Sequence, residues 1–259
     1  MTQVEIDYVE VSEVAGEPMS GEQLERLQNR YLWARRLCKG GDVVEVACGT
    51  GPGLGLLKAV AKSLVAGDVS DTMVARCRSH YGNRISVSRF DAQALPFPDS
   101  SKDVVIICEA LYYVPNIDKF LDESRRVLRP NGQLLVVVAN KDLPDFNPSP
   151  HSHVYLGPVE LNERLSRRGF AVRCFGYLPI DTVSLLQRIL RPMKRLAVAL
   201  GVVPKTMKGK QLLKRLIFGR LVSMPAELTE ASRYVEPVSI PADVPDRRHK
   251  VIYCAAVLQ

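Results

Sequence analysis

The chain has 259 residues, 46% of them hydrophobic, and a formal net charge of +7. This length and composition allow one large domain with a substantial core, or one domain with a sizeable insertion. The longest apolar runs, at 103–114 and 132–140, are shorter than the roughly 18–20 residues that a membrane-spanning helix needs, and they predict buried strands instead.

Two features favour a cytoplasmic protein with reduced thiols. The amino-terminal stretch, MTQVEIDYVEVSEV, lacks the basic and apolar regions of a secretory signal. The six cysteines are scattered without a C-x-x-C pair, which favours buried thiols over disulfides or zinc. His151 and His153 are too few to form a metal site on their own, so no metal is expected.

Strands and helices alternate along the chain. After an acidic amino-terminal stretch, apolar residues at helical spacing predict a helix over Gly21–Leu37. The predicted elements that follow are strand 1 (43–47), a helix through about Lys62, strand 2 ending at Asp68, a helix (71–82), strand 3 ending near Asp91, strand 4 (103–111), a helix (117–132) stopped by Pro130 and Gly132, strand 5 (133–140), a helix (157–169), strand 6 (170–178) and strand 7 (249–258).

This alternation predicts βαβ units and a mostly parallel sheet, with ligands beyond the carboxyl ends of the strands. The glycine-rich loop after strand 1, CGTGPG at 48–53, lies in that position. A P-loop needs a Gly-Lys-Ser/Thr sequence, which the loop lacks, since the next lysine is Lys58. A dinucleotide fingerprint needs a third glycine where Leu54 or Lys58 stands. Both phosphate-binding loops are therefore disfavoured, and a nicotinamide-dependent oxidoreductase becomes a distant alternative.

Three acids accompany this loop: Glu45 in strand 1, Asp68 at the end of strand 2 and Asp91 after strand 3. The set resembles the class I S-adenosylmethionine-dependent methyltransferases. The segments DVSDTMV, DAQALPFPDSSKDVVIICEALYYVPN and RVLRPNGQLLVVVAN are similar to the branch known as methyltransferase type 11. The resemblance covers about 28–178 and 249–258.

The resemblance implies an α/β, Rossmann-like, seven-stranded and mostly parallel sheet with helices on both faces. Its last strand would run antiparallel beside strand 6, and a helical insertion would lie between strands 6 and 7. S-adenosylmethionine is the implied cofactor. Asp68 would accept from the ribose hydroxyls, Asp91 from the adenine amino group, and Met73 would pack on the adenine. The residues implied at the cofactor are Tyr31, Glu45, Ala47, Cys48, Gly49, Gly51, Asp68, Val69, Met73, Asp91, Ala92 and Glu109.

Two of these residues need comment. Tyr31 could reach the cofactor carboxylate, and it fits a packed position on the helix face equally well. Ala47 stands where the family has the first glycine of E-x-G-x-G-x-G. Alanine suits this position only if φ stays negative, which is the expectation here.

The acceptor is less defined, because methyl transfer from a sulfonium depends mainly on positioning. The sequence CEAL ends strand 4 and no Pro-Cys dipeptide occurs, which disfavours adenine and cytosine as acceptors. An oxygen of a small molecule, a saccharide or a lipid-linked acceptor is the default, with nitrogen and carbon open. His151, His153 and Glu109 are candidate bases, and Tyr112 and Tyr113 are candidate walls of the acceptor pocket.

The connection from about 179 to 248 is predicted to form a basic helical cap. It holds ten lysines and arginines and no acid between Asp181 and Glu227. Its segment 184–222 could contact an anionic membrane surface, grip a phosphorylated acceptor, or simply be solvated. RNA is disfavoured, because the segment has few aromatic residues. A methyltransferase-fold module that binds a membrane or partner without catalysis stays an alternative, and the oligomeric state is open.

Overall fold

The computed structural model describes residues 13–180, 221–230 and 233–259. Its central feature is an eight-stranded sheet in the order β4-β3-β2-β5-β6-β10-β7-β9. The strands are β2 (Asp42–Val46), β3 (Ser63–Asp68), β4 (Ser86–Arg89), β5 (Lys102–Cys108), β6 (Leu128–Ala139), β7 (Phe170–Pro179), β9 (Val238–Ile240) and β10 (His249–Leu258). Strands β2 to β6 are parallel, and β10 lies antiparallel between β6 and β7. All seven predicted strands are present, and the last is antiparallel as expected.

Three short strands were not predicted. β9 adds an antiparallel edge to β7, and β1 (Pro18–Ser20) pairs with β8 (Leu221–Ser223) in a separate two-stranded sheet. Each has only three residues, which is too short for a period-two pattern to emerge. β8 and β9 are the regular elements in the described parts of the insertion, at 221–230 and 233–248, so the predicted helical character does not hold there.

The helices are α1 (Gly21–Leu37), α2 (Leu54–Lys58), α3 (Asp71–Tyr81), α4 (Ile117–Val127) and α5 (Pro158–Ser166). α1 begins at a capping box, in which Ser20 Oγ accepts from the Gln23 N–H and the Gln23 side chain accepts from the Ser20 N–H. Ser70 caps α3 and Asn116 caps α4, and each side chain accepts one hydrogen bond from a backbone N–H in the first turn of its helix. The caps of α3 and α4 fix where these two helices leave the carboxyl edge of the sheet.

Two predicted helices are too long. α2 ends at Lys58 rather than near Lys62, because Val60 and Lys62 already bond to the segment before β2, through the Gly40 N–H and the Gly41 carbonyl. α4 ends at Val127 rather than at Gly132, because Leu128 is extended and pairs with Lys102 at the start of β6. In both cases tertiary hydrogen bonds end the helix before the local sequence would.

The insertion is largely outside the described residues. Residues 181–220, which contain the predicted basic helices, are among those that the structure does not describe, so the cap and its membrane contact stay predictions. Within the described residues, no helix is both long enough and apolar enough to cross a bilayer.

Candidate cofactor and acceptor site

A cavity of about 560 Å³ opens at the carboxyl ends of the parallel strands. This volume lies within the roughly 300–1,000 Å³ of typical ligand sites. The predicted site residues that line it are Tyr31, Ala47, Cys48, Gly49, Asp68, Val69, Asp91, Ala92, Glu109, Tyr112 and Tyr113. The predicted residues that do not line it are Glu45, Gly51, Met73, His151 and His153. The sheet thus brings residues from four separate segments to one cavity.

Three of five consecutive residues in the glycine loop adopt a left-handed backbone conformation. The φ angles are +54° at Ala47, +57° at Gly49 and +71° at Gly51. At Gly51 a Cβ would come within 2.6 Å of Leu54 Cδ1 and 2.7 Å of Cys77 Sγ, so glycine is needed there for space as well as for φ. The expectation of a negative φ at Ala47 is wrong. The loop keeps the left-handed conformation of a glycine and places an alanine in it.

Ala47→Gly is therefore expected to stabilise the protein. An alanine in the left-handed region costs roughly 1–2 kcal/mol, and the added freedom of glycine in the unfolded chain offsets about 0.4–1 kcal/mol of that gain. The net gain in the free energy of unfolding should be about 0.5–1 kcal/mol, measurable by urea denaturation. Gly49→Ala is the matched opposite, since its Cβ would meet nothing within 4 Å and only φ would oppose it. A loss of stability in Ala47→Gly would contradict the observed loop conformation.

Asp68 ties the glycine loop to the end of β3. Its Oδ2 accepts from the Gly49 N–H at 2.9 Å, and its Oδ1 accepts from the Ser70 N–H at 2.9 Å. The carboxylate is nearly buried and lines the cavity. It therefore both shapes the loop and presents negative charge to a ligand.

The part of the cavity wall next to Asp68 is less polar. Phe90 is buried at the cavity, and its ring fills the space beside Gly67, where a Cβ would lie 2.1 Å from the ring. Val69 and Ala92 line the same region, and Asp91 is exposed at its rim, where its Oδ1 accepts from the Gln93 N–H at 2.8 Å. Apolar surface edged by a carboxylate suits a flat ring that carries an amino group.

Beneath the loop, a tyrosine and a glutamate form a buried, hydrogen-bonded pair. Tyr31 Oη donates to Glu45 Oε1 at 2.6 Å, and Glu45 Oε2 has no hydrogen-bond partner within the described part of the chain. Burial raises the pKa of Glu45 to about 7, although Tyr31 and Arg30 oppose the shift. The Tyr31 ring lies so close to Gly53 that a Cβ there would sit 2.1 Å from it. Glu45 is thus placed behind the cavity wall rather than in it.

Cys48 and Met73 are buried, apolar residues near the loop, and of the two Cys48 lines the cavity. A hydrogen bond with Cys77, together with burial, raises the pKa of Cys48, so its thiol stays neutral. Met73 is buried, and its N–H donates to the helix cap Ser70 Oγ at 3.3 Å. Met73 does not line the cavity, so its contact with an adenine stays a prediction.

Glu109 occupies the opposite end of the cavity. It has a φ of +53°, and its Oε1 accepts from Arg26 Nη2 at 2.8 Å while its Oε2 accepts from Tyr112 Oη at 3.0 Å. A left-handed conformation outside glycine and asparagine is costly, and such strain concentrates at functional sites. The turn holds the Glu109 carboxylate at the cavity wall, where Arg26 and Tyr112 fix its orientation.

Aromatic rings build the rest of this end. Tyr112 stacks on Tyr155 with ring centroids 4.2 Å apart and packs edge-on against Tyr113. Tyr113 Oη and Ser149 Oγ share a hydrogen bond of 2.5 Å, so the loop after β6 closes over the same pocket. The result is an aromatic compartment that also carries hydroxyls and the Glu109 carboxylate paired with Arg26.

The two histidines of this loop lie outside the cavity. The side chains of His151 and His153 are exposed, and His153 contributes its N–H, which donates to the Tyr112 carbonyl at 2.7 Å. His151 adopts a φ of +63° in the loop. Their role as bases stays a prediction that this geometry does not favour.

Apart from Tyr31, sequence reasoning missed the contribution of α1 to the cavity. Gln23, Arg26 and Arg30 line the cavity from one face of this helix, together with Glu13 from the segment before it. Their spacing of three and four residues was the available signal, because such residues share a helix face. Within the described residues, no group of three His, Cys, Asp or Glu side chains is arranged to hold a metal ion.

Comparison with known proteins agrees with this geometry. The family model described as "Methyltransferase domain" matches residues 44–136. A "Probable S-adenosylmethionine-dependent methyltransferase" of Mycolicibacterium smegmatis is 32% identical over 172 residues, covering 60% of this chain and 66% of that protein. A "Ubiquinone/menaquinone biosynthesis C-methyltransferase UbiE" of Xanthomonas campestris is 36% identical over 154 residues, covering 56% and 61%. The chain spans between about two fifths and two thirds of the length of such curated relatives.

Solved structures show the fold. A SAM dependent methyltransferase from Archaeoglobus fulgidus superposes with a TM-score of 0.57 at 16% identity, covering 90% of this chain and 94% of that one. The matched segment 44–136 contains the glycine loop, Asp68, Asp91 and Glu109, all of which line the cavity. Over residues 44–136 the chain is thus a methyltransferase domain, similar to S-adenosylmethionine-dependent methyltransferases.

Proposed function

We propose that this protein transfers a methyl group from S-adenosylmethionine to a hydroxyl oxygen of a small, flat, hydroxylated aromatic molecule. The observation that carries the proposal is a single cavity with two chemically different ends. One end has the glycine loop with Asp68 and Asp91, and the other has Glu109 among tyrosines. A donor and an acceptor bound at these ends would meet between them.

The first end fits the cofactor by its chemistry. Asp68 would accept from ribose hydroxyls, and Asp91 from an adenine amino group beside the apolar surface of Val69 and Phe90. Two carboxylates would repel a phosphate, whereas they attract a sulfonium cation. When bound, S-adenosylmethionine supplies an electrophilic methyl group whose leaving group is a neutral thioether.

The second end fits a planar phenol. Tyr112 and Tyr113 present ring surface, and aromatic pairs gain from offset or edge-on packing. The Glu109 carboxylate would accept a hydrogen bond from the acceptor hydroxyl and take its proton as the oxygen forms the new bond to carbon. Arg26 pairs with that carboxylate and fixes its orientation at the cavity wall. Saccharide and lipid-linked acceptors stay open, but nothing in this aromatic compartment favours them.

Carbon methylation is the second candidate. The relative from Xanthomonas campestris carries the name of a ubiquinone/menaquinone biosynthesis C-methyltransferase. A phenolate is nucleophilic at its oxygen and at the neighbouring ring carbon, so the same carboxylate could serve either product. The acceptor orientation between Glu109 and Tyr113 would decide between them.

The proposal is tested with S-adenosylmethionine carrying a carbon-13 methyl group, incubated with catechol, menadiol or glucose. We expect transfer to catechol or menadiol, with the carbon-13 chemical shift identifying a methoxyl or a ring-bound methyl. Glu109→Gln should lower kcat with little change in the KM for S-adenosylmethionine. Glu163→Gln, at an exposed position of α5, is the matched control. Methylation of glucose alone, or binding of neither S-adenosylmethionine nor its demethylated product, would refute the assignment.

A further inference from the structure

Helix α1 brings two guanidinium groups to the cavity, one turn apart. Arg26 belongs to the acceptor end, where it pairs with Glu109. Arg30 lies deeper, with 7% of its side chain exposed, and lines the cavity together with the glycine loop. Although burial lowers it, neighbouring negative groups, led by Glu13, leave the pKa of Arg30 well above its usual value. Arg30 is therefore a permanent positive charge at the cofactor end.

The partner of Arg30 comes from the segment that precedes α1. Glu13 Oε2 accepts from Arg30 Nη2 at 2.5 Å, and the Glu13 carbonyl accepts from Thr50 Oγ1 at 3.2 Å. The segment before α1 thus crosses over the glycine loop and places a carboxylate against Arg30. The Glu13 side chain is 37% exposed and itself lines the cavity.

Of the two nitrogens on this side of the Arg30 guanidinium, the pairing with Glu13 uses only Nη2. Arg30 Nε is buried and has no hydrogen-bond partner within the part of the chain that the structure describes. Nε and Nη2 lie on the same side of a guanidinium and together bind both oxygens of one carboxylate. Glu13 uses only Nη2, so an orphaned buried donor remains beside it. A carboxylate that replaced Glu13 and engaged both nitrogens would satisfy Arg30 better than Glu13 does.

Resting on the proposed function, we propose that Arg30 binds the carboxylate of the methionine portion of the cofactor, and that Glu13 occupies this place until the cofactor arrives. The methionine portion is the part of the cofactor that the glycine loop can approach closely, and Arg30 shares that region through Glu13 and Thr50. The Tyr31 hydroxyl, the other candidate donor on α1, is already engaged, since its Oη donates to Glu45 Oε1.

The test compares two ligands that differ in the carboxylate. S-adenosylhomocysteine carries the amino-acid portion, and methylthioadenosine has the same nucleoside and thioether without it. Calorimetry with both ligands is done on wild type, Arg30→Gln, Glu13→Gln and Arg36→Gln, an exposed residue of the same helix. Arg30→Gln should weaken S-adenosylhomocysteine about tenfold, because one charge-assisted pairing is lost, and should leave methylthioadenosine unchanged.

Glu13→Gln gives the opposite shift. It removes the competing carboxylate at a partly exposed position, so S-adenosylhomocysteine should bind several-fold more tightly while methylthioadenosine stays the same. Equal losses for both ligands in Arg30→Gln, or weaker S-adenosylhomocysteine binding in Glu13→Gln, would overturn the inference while leaving the proposed function intact. Absence of binding of either ligand to wild type would instead remove the proposed function, so the two failures are distinguishable.

Discussion

Glu45→Gln is expected to raise the free energy of unfolding by about 3 kcal/mol near pH 8, and to change it little near pH 4. Burial raises the pKa of Glu45 to about 7 in the folded protein, whereas an unfolded glutamate titrates near its model value of 4.5. Between these two values the folded state holds a proton that the unfolded state has released. Wild-type stability therefore falls as the pH rises through this window.

The pKa of Glu45 and the pKa values of the groups around it depend on one another. Tyr31 and Arg30 from α1 favour its ionised form, and the thiols of Cys38, Cys48 and Cys108 are raised in pKa partly by its charge. Glutamine keeps an oxygen for the Tyr31 hydroxyl but has no charge to bury. The variant should thus lose the pH dependence while retaining the hydrogen bond.

Urea unfolding of both proteins at a series of pH values measures this effect. Glu163→Gln, which removes an exposed carboxylate on α5, controls for the change in net charge and should follow the wild-type curve. Parallel curves for wild type and Glu45→Gln would show that Glu45 titrates normally in the folded state, contrary to its burial.

Asp68→Ala is expected to weaken S-adenosylhomocysteine binding by about 2–3 kcal/mol, or roughly 30–150-fold. The change removes the proposed acceptor for the ribose hydroxyls. It also removes the acceptor of the Gly49 N–H and the Ser70 N–H, so the glycine loop loses its anchor to β3. Asp68→Asn keeps one acceptor oxygen and should fall between wild type and alanine.

Calorimetry measures the Kd of each variant. Asp71→Ala is a matched control, because this neighbouring acid is mostly exposed at the start of α3 and pairs with Arg89. Since methylthioadenosine also carries the ribose, it should weaken together with S-adenosylhomocysteine, which separates the effect of Asp68 from that of Arg30. Unchanged affinity for both ligands would place the ribose elsewhere.

The sequence was most informative where one periodicity ran over many residues. Helix α1 and the buried runs of β5 and β6 were predicted closely, because amphipathic or continuous apolar patterns dominate them. The ends of α2 and α4 were missed because distant hydrogen bonds terminate them. The strands β8 and β9 were missed because pairing across the chain, rather than local pattern, makes them.

For the site, the sequence located the edge better than the individual contacts. Asp68, Asp91 and Glu109 follow strands, so the sheet itself brings them together. The sequence did not reveal that Glu45 and Met73 do not line the cavity, because facing direction depends on the packing of α1 and α3. It placed Ala47 in the wrong conformation, since the expectation followed the preference of alanine whereas the loop holds this residue at a left-handed φ of +54°.

The position of β10 has a consequence for how the chain acquires its structure. β10 pairs along nearly its whole length with β6 and with β7, although more than a hundred residues separate it from β6. Contacts between such distant segments form slowly, because the entropy cost of closing a long loop precedes the favourable free energy of the contacts. Until residues 249–258 arrive, β6 and β7 each offer an open strand edge to any other extended chain. β10 therefore does more than complete the sheet, because it covers the two strand edges at which the protein could otherwise pair with another chain.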